Sequence, residues 1–153
     1  IIGILAAEGV VAYNGYTASA KANSSKANYK QYINYANSIL MKCHMGETNI
    51  ELKVNTNSLP QSYNCSDAIQ NFLNLLATHL GDYKKAKNPY RPDQPSFRAG
   101  APGNTPSDLG YVDMWTVGSS PKAPINVSVM YKDGETLTST ITPCAAGGCD
   151  VQY

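Results

Sequence analysis

Four cysteines, Cys43, Cys65, Cys144 and Cys149, are the residues of this 153-residue chain best equipped for chemistry. They can hold zinc as thiolates or close disulfides in pairs. A zinc site expects cysteines at Cys-x-x-Cys spacing or histidines in a ligand pattern. Here no cysteine pair has that spacing, and His44 and His79 lie far apart. Disulfides are therefore expected, and with them an oxidising compartment such as the periplasm or the cell surface. Four cysteines permit three pairings, and spacing alone does not choose among them. The two local pairs are favoured. Cys43–Cys65 would join the end of one helix to the start of the next. Cys144–Cys149 would close a short loop in which two glycines let the backbone turn tightly.

No catalytic constellation accompanies these thiols. Cys43 adjoins His44, but a disulfide uses it better than a nucleophile would. The acids Asp108 and Asp113 carry no sign of burial, and the sequence has neither a Gly-x-Ser-x-Gly elbow nor a phosphate-cradling glycine loop. Neither an enzyme, nor a cofactor, nor a metal is expected. Charged residues make up only 15% of the chain and the formal net charge is +1. The surface must then be built from Asn, Ser, Thr and Tyr, which suits a protein that packs against copies of itself without strong repulsion. The densest basic stretch, Lys84, Lys85 and Lys87 beside Asp82, is too weak to argue for nucleic acid. It reads as a solvated helix end. Three Asn-x-Ser sequons begin at Asn23, Asn64 and Asn126, as an Asn-rich chain produces by chance.

The elements that must carry these residues follow from periodicity. From Tyr16 to Cys43 the apolar positions Tyr29, Tyr32, Ile33, Ala36, Ile39, Leu40 and Cys43 recur at three- and four-residue steps, marking one face of a long helix. Residues 44–64 are polar and Asn-rich and read as a connecting loop. A second helix is expected over Asp67–Leu80, with Ser66 as N-cap, Gly81 as the left-handed stop and His79 near the C-terminal end, where a cation is favoured. Residues 82–108, rich in Pro, Gly and Asn, read as a long surface loop, with Arg91 and Arg98 as candidates for contacts between subunits. Strands are expected at 111–117, 125–129 and 136–142, the last two joined by a type I′ turn at Asp133-Gly134. The fold class is α+β: a long N-terminal helical spine packed on a small antiparallel sheet, with a second short helix.

The chain opens inside an apolar run, Ile1-Ile2-Gly3-Ile4-Leu5-Ala6-Ala7-Glu8-Gly9-Val10-Val11-Ala12-Tyr13. Thirteen helical residues span about 20 Å, less than the ~30 Å of a bilayer's hydrocarbon core. The run is expected to be the surviving half of a longer apolar helix. Ile1-Ile2-Gly3-Ile4-Leu5-Ala6-Ala7, then Tyr13 and Tyr16-Thr17-Ala18, resembles the N-terminal helix of type IV pilins and pseudopilins over roughly the first 18 residues. The architecture read from periodicity is also that of this family.

The resemblance implies a structural subunit with two parts: an apolar helix over 1–17 for membrane and filament core, and a globular head over 18–153 that continues the same helix. In the filament core it places Ile1, Ile2, Gly3, Ile4, Leu5, Glu8, Gly9, Val10 and Val11. It further implies homopolymerisation into a cell-surface filament, an inner-membrane location before assembly, and a prepilin peptidase with the pilus assembly machinery as partners. Two positions depart from the family's pattern. Val11 stands where a proline is common, so any non-helical stretch must rely on Gly3 and Gly9. Glu8 stands where an aliphatic residue is usual. An ionised carboxylate in hydrocarbon costs about 2–4 kcal/mol, so an inter-subunit partner for Glu8 is expected. The alternatives are a pseudopilin of a type II secretion system, in which a C-terminal acidic calcium site is common, and a minor pilin acting as a DNA- or surface-binding module. The tail here offers only Asp150 after Glu135, and Tyr90, Arg91, Phe97 and Arg98 would form only a small patch.

Overall fold

The computed structural model describes the backbone of residues 2–143 and 151–152, and the side chains of residues 13–143. Helix α1 spans Ile2–His44, 43 residues, which at 1.5 Å per residue is about 64 Å of helix. Among the described residues no helix is long and apolar enough to cross a membrane. Among the described side chains of α1 burial begins at Ser25 and follows the expected stripe: Tyr29, Tyr32, Ile33, Ala36, Ile39 and Leu40 are all buried. The buried Ser25 hydroxyl is satisfied within the helix, donating to the Lys21 carbonyl one turn back at 3.0 Å.

That stripe faces a five-stranded sheet of order β3-β4-β5-β6-β7. Its strands are β3 (Phe97–Ala99), β4 (Val112–Thr116), β5 (Ile125–Lys132), β6 (Glu135–Ile141) and β7 (Val151–Gln152). The three antiparallel strands expected at the end of the chain are present as β4, β5 and β6, with Val112 opposite Val129 and Ile125 opposite Ile141. The expected loop over 82–108 instead contributes β3, which pairs parallel to β4 and makes the sheet mixed. Helix α1 lies over β4, β5 and β6, and helix α2 (Ile69–Thr78) over β3 and β4. Their buried side chains form one cluster with Val112, Met114, Ile125, Val127, Val129 and Ile141. Polar atoms inside it are paired: the Tyr29 hydroxyl donates to Ser139 Oγ at 2.7 Å, and Tyr32 and Ser96 share a bond of 2.5 Å.

Four local expectations give way. Residues 44–64 hold an antiparallel hairpin, β1 (Asn49–Leu52) and β2 (Gln61–Asn64), because Ile50, Leu52, Val54 and Tyr63 turn inward into the core. Ser66 does not cap α2: both its amide and its hydroxyl bond Asn64 Oδ1, and the helix starts at Ile69 without a side-chain cap. Gly81 does not stop the helix, which widens into a π-turn over His79–Tyr83. The left-handed residue is Lys85 (φ 55°), and only then do Lys84 N–H and Ala86 N–H close on the carbonyls of His79 and Leu80. At the β5–β6 turn Gly134 takes φ 73° while Asp133 does not take a positive φ, so the turn is not type I′, which requires both.

Candidate functional site

The projecting part of α1 differs from everything below it. Between Tyr13 and Ser24 only Thr17 and Ala22 are even half-buried, and Tyr13 and Tyr16, three residues apart, are 69% and 75% exposed. An open groove of about 480 Å³ runs between this segment and the β5–β6 turn. Gly15, Ala18 and Ala22 floor it, and Tyr90, Tyr131 and Glu135 rim it. The Lys26 ammonium sits 3.9 Å from the centre of the Tyr131 ring. The expected filament-core positions Ile1, Ile2, Gly3, Ile4, Leu5, Glu8, Gly9, Val10 and Val11 lie outside the residues whose side chains are described.

At the other end of the spine, Cys43 and Cys65 form a disulfide with Cα atoms 5.5 Å apart. The expected pair is therefore present, with a different task. Cys65 follows β2 rather than opening α2, so the bond staples the base of the β1–β2 hairpin to the end of α1. The pair Cys144–Cys149 lies outside the described residues.

The two arginines are engaged within the chain. Arg98 forms a bidentate pair with Asp113 (Nε–Oδ1 2.7 Å, Nη2–Oδ2 2.9 Å), donates to Asp108 Oδ1 at 3.0 Å, and stacks its guanidinium 3.9 Å from the Tyr111 ring centre. Sequence reading found no burial at these two acids, yet Asp113 is 3% exposed. Asp113 falls between Val112 and Met114 on the opposite face of β4, and Arg98, its registered neighbour on β3, pairs with it there. Burial pushes the Asp113 carboxyl above its ordinary value, and Arg98 offsets part of that. Asp108 is held low, first by the Thr105 hydroxyl and then by the Thr105 amide and Arg98. Burial works against the Arg98 charge, but the two carboxylates outweigh it and raise its pKa. Arg91 donates to the carbonyls of Ser107 and Pro106.

The fully buried Asn88 completes the same fastening. Its Oδ1 accepts the Tyr90 amide at 2.8 Å, and its Nδ2 donates to the Leu109 carbonyl at 3.0 Å. Gly110 (φ 81°) passes so close that a Cβ there would lie 2.4 Å from Asn88 Oδ1. The 82–108 segment is thus a tied strap. The only sequence signal was polar residues spaced to meet one another, which periodicity does not register.

His79, expected near the C-terminal end of the second helix, lies in the π-turn that follows α2 and is buried there. It is 4% exposed, stacked on Tyr35 with ring centres 5.7 Å apart and tilted against Tyr83 at 5.3 Å. Its Nδ1 bonds the Lys53 carbonyl at 2.6 Å and its Nε2 the Tyr35 hydroxyl at 2.7 Å. A carbonyl only accepts, so Nδ1 carries the hydrogen and the neutral Nε2 accepts from tyrosine. Burial first, and the Lys84 charge second, lower its pKa against the opposing pull of the Lys53 carbonyl. Lys84, Lys85 and Lys87 are exposed around the left-handed residue that ends the π-turn. Among the described residues no three His, Cys, Asp or Glu side chains gather as metal ligands.

No family model, curated protein or solved structure matches this chain.

Proposed function

We propose that this chain is a structural subunit of an extracellular type IV pilin-like filament, that it polymerises through the N-terminal part of α1, and that it is not an enzyme. The observation that carries this reading is the division of α1. Its C-terminal half is the spine of the head, while residues 13–24 continue the same helix with almost no cover from their own chain. A helix face without intramolecular cover fits a place between copies, and the apolar run that precedes it in sequence fits a filament core. One heterologous contact, repeated by a rotation that does not close, generates an open helical polymer.

In this assembly Ile1, Ile2, Ile4, Leu5, Val10 and Val11 lie between neighbouring helices. Burial there is worth about 0.8 kcal/mol per CH₂ kept from water. Gly3 and Gly9 supply local backbone freedom, and Glu8 takes a cation or hydrogen-bond donor from a neighbouring subunit. Before assembly the apolar segment rests in the inner membrane, and a prepilin peptidase and the pilus assembly machinery are the partners that the resemblance implies. The neutral, amide- and hydroxyl-rich head forms the outer shell.

The test is electron microscopy of material sheared from the producing cells, with mass spectrometry of its main protein. Long filaments built mainly of this chain are expected. Retention of the chain in the membrane fraction with no filaments would overturn the proposal.

A further inference from the structure

The end of the π-turn departs from its expected form. Gly81 lies inside the turn, and the left-handed position after it falls to Lys85, a residue that reaches φ 55° only at a steric cost a glycine would not bear. A lysine there supplies what glycine lacks, a third charge between Lys84 and Lys87. Lys84 and Lys87 also line a cleft of about 400 Å³ against α1, whose opposite wall carries Asn28, Gln31, Tyr32 and Tyr35. Among the described residues no carboxylate lines it. None of the three lysines takes part in the ion pairs among the described residues, which use Arg98 and Lys132. Lys21, seven residues before Asn28 on α1, stands over the Tyr90 ring at 5.7 Å. Asp93 beyond it is held low first by Gln94 and also by the charges of Lys87 and Arg91.

From this arrangement we infer that the cleft between α1 and the π-turn binds a carboxylated polysaccharide, its acid groups on Lys84 and Lys87, with the exposed Lys85 between them in sequence adding to the local charge, and its hydroxyls on the amides of Asn28 and Gln31. Amide side chains both donate and accept, which matches sugar hydroxyls. Nucleic acid fits less well. The Tyr32 ring is buried and the Tyr35 ring is stacked on His79, which leaves this cleft little aromatic face for base stacking. Three lysines on a chain of net charge +1 are also few for a phosphate backbone. The cleft belongs to the head alone, so this inference stands whether or not the chain forms filaments.

The experiment titrates the full chain with alginate, a polyuronate, alongside neutral dextran and a single-stranded oligonucleotide, at low and at physiological salt. Alginate binding that weakens with salt is expected, with dextran inert and the oligonucleotide weaker. Lys84→Gln with Lys87→Gln should lower alginate affinity at least tenfold with unchanged circular dichroism. Lys85→Gly, which keeps the left-handed turn and removes its charge, should lower affinity several-fold while raising Tm. Absence of alginate binding at low salt, equal binding of dextran, undiminished affinity in the double variant, or tighter binding of the oligonucleotide would each overturn the assignment.

Discussion

The two halves of α1 share one helix and obey different rules. From Ser25 to Leu40 the apolar residues recur every three or four positions, and each meets the sheet, the hairpin or α2. From Tyr13 to Ser24 the chain is Ala, Ser, Gly, Asn and Tyr with Thr17 and Lys21, with no stripe of large apolar residues and little cover. An isolated helix of that length and composition is marginal in water. Continuity with the packed half supports it, and a second surface would complete it. The contrast teaches that a periodic stripe marks a helix with a partner in its own chain, whereas a uniform face leaves the partner to be found elsewhere.

The sharpest break between the halves is a pair of truncations. Ile33→Ala, at a fully buried position, should cost about 3–4 kcal/mol in denaturant unfolding. Tyr16→Ala, at a side chain 75% exposed, should leave unfolding within about 0.5 kcal/mol while abolishing or thinning filaments. A Tyr16→Ala variant that unfolds as readily as Ile33→Ala would show that the projecting half is packed within the chain after all.

Next in size is the staple at the end of the packed half. Cys43 and Cys65 are separated by 22 residues, a loop whose closure is worth about 3 kcal/mol by the chain-entropy argument. Replacing both by serine should lower Tm by about 6–12 °C for a domain of this size and expose the 45–66 hairpin to hydrogen exchange. Protection of the hairpin equal to that of the native chain would mean that Ile50, Leu52 and Tyr63 hold it unaided.

A smaller, pH-dependent effect belongs to His79, which joins the packed half to the hairpin and the π-turn. Its pKa is lower in the folded state than the 6.5 of an unperturbed histidine. On acidification the unfolded chain therefore binds this proton first. The stability His79 contributes is complete above about pH 6.5 and is lost as pH falls from there toward the lowered folded value. Tyr35, Tyr83, the Lys53 carbonyl and the Lys84 charge surround the ring. His79→Phe should flatten the dependence of Tm on pH between 6.5 and 5. An unchanged slope would assign it to the carboxylates.

Most of the architecture was legible because it repeats. The α1 stripe, the alternation Ile125-Asn126-Val127-Ser128-Val129 and the Asp133-Gly134 turn position each carry their own period or punctuation. What was missed depends on single residues meeting at a distance. The β1 and β2 strands are four residues each, too short for alternation to stand out among Asn, Glu and Lys. The Asp113–Arg98 pair spans 15 residues, and Asn88 ties a strap whose other end is Leu109. Gly81 was a reasonable stop signal, but the helix widened by one residue per turn and moved the left-handed position to Lys85. For the proposed filament contact, the sequence marks the segment, and the proposed partner is a second copy of the chain.

The most direct test of the central claim is a helical reconstruction of the filament by electron cryo-microscopy. The account predicts residues 2–24 buried along the axis among copies of themselves, Tyr13 and Tyr16 in contact with a neighbouring subunit, and the sheet and the Lys84–Lys87 cleft facing outward. A polymer held together by its heads, with residues 13–24 facing solvent, would contradict it.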